Sequence, residues 1–152
     1  MGLGKTIQTI ALTLWSPVAH TLIVVPKSMV PVWEEAFRKW APDLRVVIHA
    51  KNRKTNHWKF ETMRVVITTY DIMREEYGEF QAFLDEQDDA MERIFKDPEL
   101  VIEVKRPYVP IYALGWGRVV YDEAHRLRNR GTKTMQMTQE LRVQNQLLLT
   151  GT

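Results

Sequence analysis

Apolar residues along this chain alternate between two spacings. Ile7, Ile10, Ala11 and Leu14 fall at i, i+3, i+4 and i+7, which predicts one apolar face of a helix. Ser16-Pro17 ends that helix, because proline disfavours helical geometry in the residue before it. Leu22, Ile23, Val24 and Val25 form a short unbroken apolar run, as expected of a strand covered on both faces. Val32, Trp33, Ala36, Phe37 and Trp40 return to helical spacing on one broad face. Ser28 reads as the N-cap of this helix, Pro31 is tolerated in its first turn, and Pro42-Asp43 closes it. Val46, Val47 and Ile48 make a further strand, and Val65, Val66 and Ile67 a third buried one. The stretch 51–59 between them is polar and basic, read as a solvated loop or exposed helix start. Arg118, Val119, Val120 and Tyr121 form another apolar run, preceded by Gly115-Trp116-Gly117. Residues 133–141 read as a helix with Met137 and Leu141 on one side, and Gln146, Leu147, Leu148 and Leu149 as a last strand.

Helix and buried strand in alternation predict an α/β domain with a mostly parallel sheet. Residues 74–107 break the alternation. They are acidic at Glu75-Glu76, Asp85-Glu86 and Asp88-Asp89, turn basic at Lys105-Arg106, and carry only broken helical periodicity. One or two helices plus a loop, inserted on the surface of the core, is the reading for this stretch.

Composition changes this picture little. The 152 residues are enough for one domain with a proper core, and 45% hydrophobic with 26% charged residues is a globular balance. The net charge of +2 does not by itself predict nucleic-acid binding. The absence of cysteine excludes disulfides and thiolate metal sites. No apolar run approaches the ~20 residues that span a bilayer, so no membrane partner is expected.

The candidate chemistry sits at the ends of the strands. Gly2-Leu3-Gly4-Lys5-Thr6 feeds straight into the first helix, the second half of a phosphate-binding loop. In such a loop backbone N–H groups cradle phosphates, Lys5 reaches the outer ones and the Thr6 hydroxyl ligates magnesium. Asp122-Glu123-Ala124-His125 follows a buried strand; there Asp122 would hold the metal and Glu123 would orient and deprotonate a water. Thr68, Thr69 and Tyr70 end another strand, either to meet a phosphate backbone or to lead into a helix capped by Asp71. In open α/β sheets ligands bind at this carboxyl edge.

In order, Met-Gly-Leu-Gly-Lys-Thr (1–6), Val-Val-Pro-Lys-Ser (24–28), Ile-Thr-Thr-Tyr-Asp (67–71), Asp-Glu-Ala-His-Arg-Leu-Arg-Asn (122–129) and Leu-Leu-Thr-Gly-Thr (148–152) resemble motifs I, Ia, Ib, II and III of Swi/Snf-type ATPases, in helicase superfamily two. The resemblance covers the chain except 74–113. The long spacing before motif II looks more like the repair-associated branch than the nucleosome-sliding one.

The resemblance implies a three-layer RecA-like P-loop NTPase lobe, residues 1–152 being a partial helicase ATP-binding domain with a helical insertion at about 74–113. It implies a DNA-dependent ATPase acting in chromatin remodelling or DNA repair, in the nucleus, with ATP and Mg2+ as cofactors and duplex DNA, with chromatin or repair proteins, as partners. Gly2, Gly4, Lys5, Thr6 and His125 would serve the nucleotide, Thr6 and Asp122 the metal, and Lys5, Asp122 and Glu123 the chemistry. Lys27, Ser28, Thr68, Thr69 and Tyr70 would lie along the DNA backbone. His125 and the Thr150-Gly151-Thr152 loop would couple the phosphate state to DNA.

Both ends read as cuts through functional loops. The strand before motif I, normally central in the sheet, and a second lobe with its arginine fingers are expected to lie outside this chain. Weak ATP binding and almost no hydrolysis are the expectation for the chain alone, since a trans arginine contributes ~10³–10⁵ in rate in related motors. Two alternatives stay open. An RNA helicase of the DEAH-lettered type shares motif II, but Thr150-Gly151-Thr152 and the Leu127-Arg128-Asn129 tail speak against it. A catalytically dead interaction module would keep the fold, though Lys5, Thr6, Asp122 and Glu123 are all intact.

Overall fold

The computed structural model describes residues 4–50, 64–127 and 133–151. The basic stretch 51–59, Gly2, Arg128, Asn129 and Thr152 fall outside the described residues. Five strands form one parallel sheet in the order β2-β3-β1-β4-β5, with β1 Thr21–Val25, β2 Val46–His49, β3 Val65–Thr69, β4 Trp116–Tyr121 and β5 Val143–Leu148. β1, β3 and β4 are buried along their whole length, as their unbroken apolar runs require.

Alternate residues of each central strand serve opposite faces. Ile23, Val25, Val65, Ile67 and Val120 pack with Ile10 of α1 (Lys5–Trp15) and with Trp33 and Phe37 of α2 (Val30–Trp40). Leu22, Val24, Val66, Val119 and Tyr121 pack with Met73 and Tyr77 of α3 (Tyr70–Lys96), Ile111 and Tyr112 of α4 (Pro110–Ala113), and Met137 of α5 (Lys133–Gln139). The result is the three-layer α/β arrangement expected.

Several local expectations are corrected. The side of α1 that faces inward is Thr9, Ile10 and Thr13, whereas Ile7, Ala11 and Leu14 are exposed. Threonine can be buried there because each hydroxyl donates to the carbonyl four residues back, Thr9 to Lys5 and Thr13 to Thr9, both at 2.8 Å. Ser28 does not cap α2. It lies inside a 3-10 turn, Lys27–Met29, closed by Met29 N–H donating to the Pro26 carbonyl. An N-cap side chain at Ser28 would need the N–H of Val30 or Pro31, and Pro31 has none. On α2 the buried set narrows to Val30, Trp33 and Phe37, while Val32 and Trp40 are half-exposed.

Residues 74–113 are not a purely surface addition. One helix of 27 residues runs unbroken from Tyr70, and Glu76, Tyr77, Ile111 and Tyr112 are buried. A buried hydrogen-bonded contact pins this segment to the sheet: His49 Nε2 lies 2.5 Å from Glu76 Oε1, and Ile111 N–H donates to Glu76 Oε2 at 2.9 Å. Trp116 and Gly117 already belong to β4, and β5 starts three residues before the apolar run that marks it. Among the described residues β5 pairs with β4 alone, and most of its side chains are exposed or half-buried.

Candidate active site

Parallel strands bring all their C-terminal ends to one edge, so the candidate residues must gather there. Gly4 caps α1 with φ 68°, a left-handed conformation that glycine adopts without steric cost, and Gln8 N–H donates to its carbonyl at 2.8 Å. This turn aims the first N–H groups of an 11-residue helix outward, with Lys5 and Thr6 half-buried in its first turn.

The acidic pair is fixed by three strands. Asp122 N–H donates to the Val24 carbonyl at 2.9 Å, Leu149 N–H to the Tyr121 carbonyl at 2.8 Å, and Ala124 N–H to the Leu149 carbonyl at 2.7 Å. The end of β5 is thereby laced to the Asp-Glu turn. Glu123 has φ 52°, the one positive φ at a non-glycine among the described residues, and His125 Nδ1 lies 3.1 Å from Glu123 Oε2. Strained backbone of this kind is kept where the surroundings enforce it, most often at functional sites.

Gly151 shows how closely the three segments approach. A Cβ placed there would lie 3.7 and 3.8 Å from the two Glu123 carboxylate oxygens and 3.8 Å from Lys5 Nζ. Lys5, Glu123 and the terminal loop thus surround one point. The Asp122 carboxylate accepts Glu123 N–H on Oδ1 at 3.0 Å and the indole N–H of Trp33 on Oδ2 at 2.9 Å. No group of three or more His, Asp or Glu side chains gathers as a metal cage among the described residues. Magnesium needs none, since it is held by one or two carboxylates with water and substrate phosphates. Asp122, next in sequence to the Glu123 whose carboxylate meets Lys5 at Gly151, offers a hard oxygen ligand of the kind a magnesium–phosphate group takes.

Lys27 and Ser28 are exposed beside this edge. Thr68, Thr69 and Tyr70 are not, at 0%, 3% and 4% exposure. Their hydroxyls are used inside the protein. Thr68 donates to the His49 carbonyl at 2.8 Å, Thr69 accepts Ile72 N–H at 3.2 Å and so caps α3, and Tyr70 donates to the Asp122 carbonyl at 2.7 Å. Side-chain contact of these three with a phosphate backbone is therefore corrected, because strand burial turns the hydroxyls inward. Asp71 is displaced as the cap by Thr69. Burial, with the Asp122 charge second, pushes the Tyr70 phenol well above its ordinary value.

The open concavity of about 570 Å3 near Val18, Gly117 and Arg142 lies at the opposite, N-terminal edge of the sheet, away from these groups. Sequence reasoning missed the Trp33 indole, and placed Tyr70 along DNA rather than donating to Asp122. Helical spacing marked Trp33 as apolar but carries no signal about its N–H.

A sequence profile of the SNF2-related domain matches residues 1–152. The DNA excision repair protein ERCC-6-like of Danio rerio is 30% identical over 161 residues, taking in 100% of this chain and 9% of that protein. The human SWI/SNF-related matrix-associated actin-dependent regulator of chromatin subfamily A member 1 is 30% identical over 164 residues, 100% of this chain and 13% of that protein. Nuclear protein STH1/NPS1 of Saccharomyces cerevisiae is 30% identical over 158 residues, 100% and 10%. The chain thus spans a small part of the curated relatives it matches. Among solved structures, the Sulfolobus solfataricus SWI2/SNF2 ATPase core in complex with dsDNA matches with a TM-score of 0.70 at 27% identity, over 100% of this chain and 26% of that one.

Proposed function

The chain belongs to the SNF2-related domain family, and on that premise we propose that it is the ATP-binding lobe of a DNA-dependent ATPase that couples hydrolysis to movement on duplex DNA. Chromatin remodelling or DNA repair, in the nucleus, is the setting its relatives' names support. The observation that carries the reading is the meeting of Lys5, Glu123 and Gly151 at the sheet edge where Asp122 is held.

The roles proposed are these. Gly2, Gly4 and the first N–H groups of α1 cradle phosphate oxygens, and Lys5 supplies a point charge to them. Thr6 and Asp122 supply the oxygen ligands for Mg2+, which when bound neutralises phosphate charge. Glu123 orients the attacking water and takes its proton, and His125, 3.1 Å away, steadies that carboxylate. Thr150, Gly151 and Thr152 report the phosphate state through the Ala124–Leu149 bond. Lys27 and Ser28 meet the DNA backbone, which gives affinity without sequence choice. Thr68, Thr69 and Tyr70 serve that surface from beneath, by fixing its shape. The family match and the dsDNA-bound structural neighbour favour this reading over the RNA-helicase alternative.

Steady-state ATP hydrolysis by the intact gene product tests it. Duplex DNA should stimulate turnover and RNA should not. Glu123→Gln should lower turnover by about 10²–10⁴-fold while ATP binding persists, the loss expected when a general base is removed. Stimulation by RNA alone would favour the helicase alternative, and no binding at millimolar ATP would favour the dead module.

A further inference from the structure

Asp122 is restrained at every point but one. Its N–H is bound by the Val24 carbonyl and its own carbonyl by the Tyr70 hydroxyl, and the residue is 5% exposed. The remaining freedom is rotation of the carboxylate about its own bond. The Glu123 N–H reaches Oδ1 from the adjoining residue and is part of the same turn. The restraint from outside the turn is the Trp33 indole N–H on Oδ2 at 2.9 Å, across 89 residues of sequence.

Trp33 is fully buried, and a buried indole N–H is a donor that needs an acceptor. Packing alone does not require an indole here. Phe37, whose ring centroid lies 6.4 Å from that of Trp33, fills the same layer with no polar atom. Nor does a carboxylate require this donor for charge balance. A lysine or arginine in its place would neutralise Asp122 and compete with a cation. A neutral N–H orients the carboxylate and leaves its negative charge available. Each carboxylate oxygen offers about two lone-pair sites. With one on each oxygen occupied, the directions of the others are set.

We propose that Trp33 is a positioning residue for magnesium, its indole N–H setting the orientation in which the Asp122 carboxylate meets the metal. This rests on the reading of Asp122 as a metal ligand. Partners that orient a metal ligand from behind are typically worth about 10–100-fold in metal affinity or activity.

The test compares wild-type gene product with Trp33→Phe, which keeps an aromatic ring and loses the donor. Trp40→Phe, at a half-exposed position at the end of α2, is the control. The readout is the Mg2+ concentration that gives half-maximal binding of a fluorescent ATP analogue, alongside binding of the same analogue in chelator. Trp33→Phe should raise that concentration about 10–100-fold, with chelator binding unchanged and Trp40→Phe like wild type. An unshifted Mg2+ midpoint in folded Trp33→Phe overturns the proposal. Should Trp33→Phe fail to fold, fluorine NMR of fluorotryptophan-labelled protein carries the test. One tryptophan resonance should move both on Asp122→Asn substitution and on adding Mg2+ with nucleotide, and no such shared resonance overturns the proposal. A wild-type protein whose nucleotide binding ignores Mg2+ overturns the metal reading beneath it, a result distinct from an unshifted variant.

Discussion

Glu123 holds a φ of 52° that costs an ordinary residue about 1–2 kcal/mol, and its neighbours supply the restraint. Ala124 N–H is tied to Leu149, Arg126 N–H to the Glu123 carbonyl, and Glu123 N–H to Asp122. Gly151 faces the carboxylate so placed, and its own φ is not positive. Gly151→Ala should therefore fold with wild-type stability, since no atom lies closer than 3.7 Å to the added methyl. That methyl would still stand between Lys5 Nζ and Glu123. Weaker ATP binding with an unchanged melting temperature is the expected outcome, by calorimetry and nucleotide titration. At this scale the sequence was readable where chemistry needs a residue type. Lys5, Asp122 and Glu123 stand out because few side chains can do the work proposed for them. The targets of the Trp33 and Tyr70 donors do not, because a donor's target depends on which strand ends lie together.

Elements were legible where burial is two-sided. β1, β3 and β4 appear in the sequence as apolar runs because nothing polar fits between two helical layers. β5 begins with Val143, Gln144 and Asn145 and was half missed, since its side chains are exposed or half-buried and polar residues interrupt its apolar run. The inward side of α1 was misread because buried threonines that bond to their own helix look polar in a sequence. Gly117 was placed before the strand, yet it lies within β4 and is required by close approach. A Cβ there would lie 2.6 Å from the Val18 Cβ. Gly117→Ala should destabilise the domain by about 1–3 kcal/mol, the usual cost of overpacking. Gly115→Ala, with open space around it, should be near neutral. Urea unfolding midpoints of the two variants check this.

At the scale of the whole molecule, the sheet order places β1 between β3 and β4, so the segments after all three meet on one edge. That gathering was legible from motif order once an α/β sheet was assumed. The depth of Thr68 and Tyr70 was not, because depth depends on what covers a strand end. The layer over the β4 face also sets the molecule's response to alkali. Burial raises the phenols of Tyr70, Tyr112 and Tyr121 above their ordinary value of 10.0. A raised folded value favours the neutral phenol, so this contribution is fully present below pH 10 and is lost as pH rises above it. Unfolding should steepen above pH 10, with the phenolate absorbance of these residues appearing together with loss of structure. Smooth titration of all phenols in a protein that stays folded would contradict it.

Everything proposed here turns on the sheet edge holding Lys5, Asp122 and Glu123 being a magnesium–ATP site. Equilibrium ATP binding to the intact gene product, measured with and without Mg2+ in wild type and Lys5→Ala, addresses it most directly. Mg2+-dependent binding is expected in wild type, and Lys5→Ala should abolish it while the fold is kept. Binding of equal strength in a folded Lys5→Ala protein would contradict it.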